Sequence, residues 1–193
     1  MQAPKLVILG RDGILNRFRE DHVKDPQEWE PIAGALEAVA KLNHSGWHVV
    51  VATNQAGIGR GMIDMASVNT VHQHMNKLLM AKGGRLDAVF FCPHAPEDQC
   101  DCRKPLPGMM KDIGLRYGVE LRNVPMAADT LRDLQAAQAA GCQPHLVRSG
   151  RAEQLGEAEL AQWLLAVPET LVHADLGAFA EHLMRRDAAT KAG

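Results

Sequence analysis

The chain has 193 residues, enough to bury one core of ordinary size and too few for two large domains. Its 21 basic and 23 acidic residues give a formal charge of −2, which predicts no nucleic-acid-binding face and confines any anion site to a local cluster. The apolar run near the amino terminus is too short for a signal peptide or a membrane span. We therefore expect one cytoplasmic domain over residues 1–193, monomeric and without nucleic-acid or membrane partners.

Short apolar runs alternate with amphipathic segments along the chain. Runs typical of buried parallel strands lie at 5–9, 47–52, 86–91, 124–128 and 143–147, with an edge strand at 170–173. Helical spacing of apolar residues lies at 34–44, 65–81, 107–117, between Asp129 and Gly141, and at 175–186, where Asp175 is a candidate cap. This alternation predicts an α/β fold with a doubly wound, Rossmann-like parallel sheet.

Several segments carry weaker signals. Glycines between 57 and 61 predict a flexible turn around Arg60, residues 149–159 a polar loop, and the last seven residues a frayed end. His72 and His74 lie two apart on one helix and thus on different faces, which favours solvation over a shared metal. Cys142 is expected to be a small core residue.

Residues 92–105 are the stretch that ordinary packing explains least well. Its C-x-H-x5-C-x-C pattern has the ligand set and count of a closed tetrahedral zinc site; the four candidate ligands are Cys92, His94, Cys100 and Cys102. A disulfide-bonded loop is the alternative, but Cys100 and Cys102 are too close to bridge comfortably and nothing else suggests secretion. Arg103 and Lys104 follow at once, so a zinc-bound loop would aim two cations at an anion such as phosphate.

Polar residues follow four of the predicted strands. They are Gly10-Arg11-Asp12, Thr53-Asn54-Gln55, Arg103-Lys104, and the pair Asp129 and Asp133. Each has a purely structural alternative, such as a turn aspartate or a charge at a helix start. Right-handed crossovers keep parallel strands pointing the same way, so all four groups are expected at one rim, where such folds bind ligands.

Four motifs in this order resemble the haloacid dehalogenase (HAD) superfamily of phosphohydrolases. They are GRDGILN (10–16), TNQAGIGRG (53–61), CRKP (102–105) and ADTLRD (128–133). More narrowly, the cysteine loop and the DTLRDLQAA segment are similar to the D-glycero-D-manno-heptose 1,7-bisphosphate 7-phosphatases, with the histidinol-phosphate phosphatases as relatives. The segment between the first two motifs is too short for a large cap domain, so the zinc-bound loop would be a partial lid.

The resemblance implies a phosphomonoester hydrolase that uses catalytic Mg²⁺ and structural Zn²⁺ and removes the 7-phosphate of the heptose bisphosphate in lipopolysaccharide core precursor synthesis. Asp12 would be the general acid and then the base, and its carbonyl, together with Asp129, would bind Mg²⁺. Asp133 would lie beside the metal ligands without binding the ion. Thr53 would donate a hydrogen bond to a phosphoryl oxygen, and Lys104 would neutralise the transferring group.

The same resemblance implies the substrate contacts. Arg103 would bind the distal phosphate of a bisphosphate with its fork of donors. Arg11, Asn54 and Gln55 would line the site, and Arg19 and His22 would contact the sugar.

Position 10 departs from the family. The residue before Arg11 is there the aspartate that attacks phosphorus, whereas this chain has Gly10, which offers no nucleophile. Ala128 also stands where the family usually has glycine, a milder change. Three interpretations follow: an impaired phosphatase, a catalytically inactive phosphosugar-binding paralogue, or hydrolysis by direct water attack with Asp12 as base.

Overall fold

A computed structural model describes residues 4–192, with side chains to residue 190, and contains one six-stranded parallel sheet. The strands are β1 (Leu6–Leu9), β2 (His48–Asn54), β3 (Ala88–Cys92), β4 (Pro125–Ala128), β5 (Gln143–Val147) and β6 (Leu171–His173). Their order in the sheet is β3-β2-β1-β4-β5-β6, the doubly wound arrangement with a switch point between β1 and β4. This confirms the predicted fold class.

Seven α-helices lie in the described part of the chain. They are α1 (Ala35–His44), α2 (Ala56–Gly59), α3 (Met65–Ala81), α4 (Gly108–Tyr117), α5 (Leu131–Ala140), α6 (Glu157–Ala166) and α7 (Leu176–Ala192). Short 3-10 turns occupy Pro26–Glu28, Leu121–Asn123 and Gly150–Ala152. Only the 3-10 turn and α1 lie between β1 and β2, which agrees with the absence of a large cap at that point. No helix of residues 4–192 is long and apolar enough to cross a membrane.

Helices cover both faces of the sheet. Val7 and Leu9 of β1 pack with α1, α3 and α7, whereas Leu6 and Ile8 face the side that includes α4 and α5. Successive strand residues point to opposite faces, so a strand covered on both faces needs apolar residues throughout. All four residues of β1 are buried, which explains its continuous apolar run.

Three predictions about local structure are wrong. The turn around Arg60 contains the short helix α2. The last seven residues were expected to be frayed, but α7 continues to Ala192; residue 193 lies outside the described chain. The predicted loop at 149–159 contains a 3-10 turn and the start of α6. Helix α6 buries none of its residues fully, so its sequence has no clear apolar stripe.

Two predicted details are confirmed, and one is wrong. Asp175 caps α7, since its Oδ1 accepts a hydrogen bond from Ala178 N at 2.7 Å. Cys142 is buried. His72, in contrast, is not solvated: it is 8 % exposed and contacts the guanidinium of Arg11.

Candidate active site

A cavity of about 240 Å³ opens at the carboxyl ends of the central strands, beside the switch point. Seven of its sixteen lining residues are Arg or Lys and four are Asp or Glu, so the lining carries a local excess of positive charge in a chain of net charge −2. The predicted site residues that it brings together are Arg11, Asp12, Arg19, His22, Thr53, Asn54, Arg103, Lys104, Asp129 and Asp133.

Gly10 lies at the end of β1, where its N–H donates a hydrogen bond to Ala127 O at 3.1 Å. Its backbone is not in the left-handed region. A Cβ atom placed on it would meet Ile14 Cγ1 at 3.1 Å and Ala127 O at 3.9 Å. The tighter contact is with a side chain, so a small shift of Ile14 would accommodate an aspartate without a change in the backbone.

The carboxylate of Asp12 is held by donors on both of its oxygens. Arg11 Nη2 lies 2.9 Å from Oδ1 and 3.0 Å from Oδ2, Asn16 Nδ2 lies 2.9 Å from Oδ1, and Gln55 Nε2 lies 3.2 Å from Oδ2. Burial alone would raise the pKa of Asp12, but the charge of Arg11 and these hydrogen bonds outweigh it and lower the pKa. Asp12 is therefore an ionised acceptor in this arrangement.

Arg11 lines the cavity, and its side-chain donors hold two other residues. It is 1 % exposed, and its donors go to Asp12 and to His72, whose Nε2 lies 3.2 Å from Nη1. An arginine only donates, so Nε2 must accept and the imidazole proton lies on Nδ1. Burial, then the charge of Arg11, lowers the pKa of His72 to about 4, which keeps this imidazole neutral.

Gln55 also lies behind the cavity wall, where it is 1 % exposed. Its Nε2 donates to Thr53 Oγ1 at 2.9 Å as well as to Asp12. Thr53 itself lines the cavity, and because its oxygen accepts from Gln55, its hydroxyl proton is free for a ligand. Gln55 thus orients two residues of the site from behind.

Lys104 links the cysteine loop to the strand ends. Its Nζ lies 2.7 Å from Asp133 Oδ2 and 2.9 Å from Ala52 O, and the side chain is 3 % exposed. The Asn54 side chain donates to and accepts from the Lys104 backbone, both at 3.1 Å. Burial would raise the pKa of Asp133, but Lys104 lowers it, so the pair is ionic.

Asp129 lies 1 % exposed at the end of β4. Burial raises its pKa to about 6, although a hydrogen bond from Arg151 N to Oδ2 at 3.0 Å opposes this. Gly13, with φ +85°, approaches this carboxylate so closely that any Cβ would collide with it. A buried carboxylate with little compensating charge is suited to bind a hard divalent cation.

The cysteine loop brings its four predicted ligands together. All their ligand atoms lie within 4.8 Å of one another. Cys92 Sγ is 3.9 Å from Cys100 Sγ and 3.1 Å from Cys102 Sγ, and His94 Nδ1 is 3.2 Å from Cys102 Sγ. Zn–S bonds of about 2.3 Å place tetrahedral sulfur atoms about 3.8 Å apart. The three cysteines are free thiols, so the geometry favours the metal site over the disulfide alternative.

Sequence reasoning missed several cations at the cavity mouth. Arg60, Arg132 and Arg151 line the cavity together with Arg103. Within residues 4–190, Arg60, Arg103 and Arg151 form no ion pair with a carboxylate. Arg151 could have been found from its place after β5, since the ends of parallel strands share one rim.

The chain matches the family model described as polynucleotide kinase 3 phosphatase over residues 12–126 and that described as HAD-hydrolase-like over residues 101–178. A relative named D-glycero-beta-D-manno-heptose-1,7-bisphosphate 7-phosphatase, from Bordetella bronchiseptica, is 50% identical over 94% of this chain and 98% of its own length. Its namesake from Pseudomonas aeruginosa is 43% identical over 93% and 98%.

Solved structures agree. The crystal structure of D,D-heptose 1,7-bisphosphate phosphatase from B. bronchiseptica, complexed with magnesium and phosphate, has a TM-score of 0.88 and 48% identity and covers 94% of this chain and 99% of its own. The enzyme from Burkholderia thailandensis has a TM-score of 0.69 and 43% identity over 93% and 98%. The chain therefore belongs to the HAD-like phosphatases, in the family of the D-glycero-beta-D-manno-heptose-1,7-bisphosphate 7-phosphatases.

Proposed function

We propose that the cavity binds D-glycero-D-manno-heptose 1,7-bisphosphate and that removal of its 7-phosphate is impaired by Gly10. The carrying observation is the lining itself, with seven cations against four carboxylates. One phosphate would not require the three guanidiniums that have no carboxylate partner within residues 4–190. The names of the relatives supply the sugar, and the net charge of −2 does not favour non-specific binding of a polynucleotide strand.

The site fits magnesium. Asp129 is buried with a pKa raised to about 6, and its carboxylate oxygens are the hard donors that Mg²⁺ prefers. Asp129 and the Asp12 carbonyl would hold the ion, with water in place of the carboxylate that Gly10 lacks. When bound, Mg²⁺ would neutralise charge on the phosphoryl oxygens.

Zinc would be held by Cys92, His94, Cys100 and Cys102. Because protein atoms fill all four positions, its role would be structural. It would fix the loop that presents Arg103 and Lys104 to the cavity.

The remaining residues position and stabilise the phosphoryl group. Thr53 donates its hydroxyl proton to a phosphoryl oxygen, and Lys104 supplies a fixed positive charge held by Asp133. With an aspartate at position 10, that carboxylate attacks phosphorus and the sugar oxygen leaves with a proton from Asp12, which must first take up that proton in the substrate complex, where the negative charge of the phosphate opposes the lowering of its pKa by Arg11. Asp12 then takes a proton from the water that hydrolyses the acyl phosphate.

A second candidate is slow hydrolysis by direct water attack. The observation that favours it is the ionised state of Asp12, which Arg11, Asn16 and Gln55 stabilise. A carboxylate can take a proton from water but cannot protonate a leaving oxygen. If this route operates, Asp12→Asn should abolish all residual turnover of the Gly10 protein. That loss would distinguish slow catalysis from uncatalysed background hydrolysis.

The test compares two substrates in the Gly10→Asp protein with Mg²⁺ present. We expect phosphate release from heptose 1,7-bisphosphate with a kcat/KM at least tenfold above that for histidinol phosphate. A preference for histidinol phosphate would contradict the proposed substrate and indicate a histidinol-phosphate phosphatase instead. No release from either compound, together with intact binding of the bisphosphate, would support a phosphosugar-binding paralogue instead.

A further inference from the structure

Arg151 lies at the cavity mouth in the 3-10 turn Gly150–Ala152 that follows β5. Its backbone N–H donates to Asp129 Oδ2 at 3.0 Å. The preceding Gly150 approaches the same carboxylate too closely for a Cβ atom. The backbone around Arg151 is therefore fixed against the buried end of the site, independently of what its side chain does.

The guanidinium of Arg151 is stacked on an aromatic ring. Its Cζ lies 3.4 Å from the ring centroid of Phe18, a residue of the loop after β1 that also lines the cavity. Stacking occupies one face of the planar group and leaves its N–H edges free. In the described chain, no acceptor within hydrogen-bonding distance of these N–H groups is found, whereas Arg11 and Arg19 donate to carboxylates.

The cavity lining around Arg151 is rich in guanidinium groups. Arg60, Arg103 and Arg132 line the same cavity, and of these only Arg132 pairs with a carboxylate, at 3.6 Å from Asp133 Oδ1, within residues 4–190. Like charges that face one cavity repel each other, and a bound anion would reduce that repulsion.

Two of the three arginines without a carboxylate partner within residues 4–190, Arg103 and Arg151, reach the cavity from different directions. Arg103 follows β3 at one edge of the sheet, whereas Arg151 follows β5 on the other side of the switch point. Thr53 and Lys104, at the cavity floor, are 4 % and 3 % exposed and are placed for the transferring group. Arg151 is exposed at the mouth, so it is placed for a group farther out.

We propose that Arg151, held flat on Phe18, is a specificity-determining residue that binds the phosphate which is not transferred. This inference rests on the proposed function, because it presumes that the substrate carries two phosphates. Arg103 was assigned that phosphate from sequence alone. The structure adds the guanidinium of Arg151, which Phe18 holds in place, as a second group for this phosphate. Its loss should weaken the binding of bisphosphates selectively.

The experiment measures equilibrium binding to the Gly10 protein with Mg²⁺ present, so turnover of the bisphosphate stays slow. The ligands are heptose 1,7-bisphosphate and heptose 7-phosphate. Arg151→Met removes the charge but keeps an apolar contact with Phe18 and the backbone hydrogen bond to Asp129. We expect the bisphosphate Kd to rise roughly tenfold to hundredfold and the monophosphate Kd to change less than about threefold.

Three further variants sharpen the result. Arg151→Lys keeps the charge without the fork and should recover only part of the loss. Phe18→Leu removes the ring that fixes the plane and should raise the bisphosphate Kd by about twofold to fivefold. Arg122→Met removes an exposed arginine of the turn Leu121–Asn123, which does not line this cavity, and should change neither Kd.

An unchanged bisphosphate Kd in Arg151→Met would overturn the inference. An equal loss for both ligands would also overturn it, because Arg151 would then serve the transferring phosphate or the fold. If the unaltered protein does not prefer the bisphosphate to the monophosphate, the proposed function itself fails. That outcome is seen before any variant is made.

Discussion

The two candidate metal-binding regions of this chain differ in completeness. The cysteine loop has four candidate ligand atoms within 4.8 Å of one another, whereas the proposed catalytic rim has Gly10 at the position where the sequence resemblance implies a carboxylate. Around Gly10 the second carboxylate, the lysine and the threonine all remain in place. We expect from this difference that the arrangement proposed to bind a phosphate ester does not require the attacking group, so that one residue separates binding from turnover.

The largest effect is expected when a carboxylate is introduced at position 10. Gly10→Asp should raise multiple-turnover phosphate release by at least about a thousandfold, since loss of a nucleophile leaves only binding and electrostatic catalysis. The affinity for the bisphosphate, measured by calorimetry with saturating Mg²⁺, should fall slightly or stay the same, because the new carboxylate lies beside a phosphate. Equal turnover in the two proteins would mean that the nucleophile lies elsewhere.

The cysteine loop is tested by removing one of its four candidate zinc ligands. The purified protein should contain one zinc per chain by elemental analysis, and Cys102→Ser should lose most of it and lower the unfolding temperature by several degrees, since structural zinc stabilises the folded loop. Bisphosphate binding should weaken as well, because Arg103 and Lys104 lie next to the cluster. Cys142→Ser is the matched control, a cysteine outside the cluster that should keep its zinc. Zinc-free wild-type protein would contradict the assignment.

Sequence predicted most of the fold because both faces of the sheet are covered. Continuous apolar runs marked the central strands, although the signal for the fourth strand was weak, and the bounds of β5 and α3 were predicted to the residue. Helix α6 was missed because none of its residues is fully buried, so no apolar stripe marks it. The four polar groups at the rim were found because parallel strands point the same way and end at one edge of the sheet.

The parts of the site that could not be predicted depend on contacts between distant residues. The hydrogen bond between Arg11 and His72 joins residues 61 apart in sequence, and nothing near His72 indicates it. Likewise, Phe18 and Arg151 meet only because the loops after β1 and β5 fold over the same cavity. Such contacts decide which arginines form hydrogen bonds within the protein and which have donors available for a ligand.

A third prediction compares the metal affinity of the incomplete site at different pH values. Burial raises the pKa of Asp129 to about 6, so below that value protons compete with Mg²⁺ for the carboxylate. The Mg²⁺ Kd should rise up to tenfold for each pH unit below about 6 and level off above pH 7. Calorimetric titration of the Gly10 protein measures this, and Gly10→Asp should bind Mg²⁺ more tightly at every pH. Binding that does not depend on pH would remove Asp129 from the ligand set.

The smallest expected effect concerns the support behind the rim. His72→Phe would leave Arg11 Nη1 buried without its acceptor, which should lower the free energy of unfolding by about 1–3 kcal/mol. His72→Asn, which keeps a side-chain acceptor, should recover part of that loss. Urea denaturation at pH 7.5 compares the three proteins, and equal stability of His72→Phe and wild type would refute a role for this hydrogen bond.

The pH dependence of the same contact has a definite sign. The folded pKa of His72, about 4, is below its ordinary value of 6.5, so folding favours the neutral imidazole. Its contribution to stability is complete above pH 6.5 and decreases as the pH falls toward 4, because the unfolded chain then binds the proton first. The wild-type advantage over His72→Asn should therefore shrink across that range by up to about 1.4 kcal/mol per pH unit. A constant difference would mean that the pKa of His72 is the same in the folded and the unfolded chain, and that its Nε2 is not held as the acceptor of Arg11.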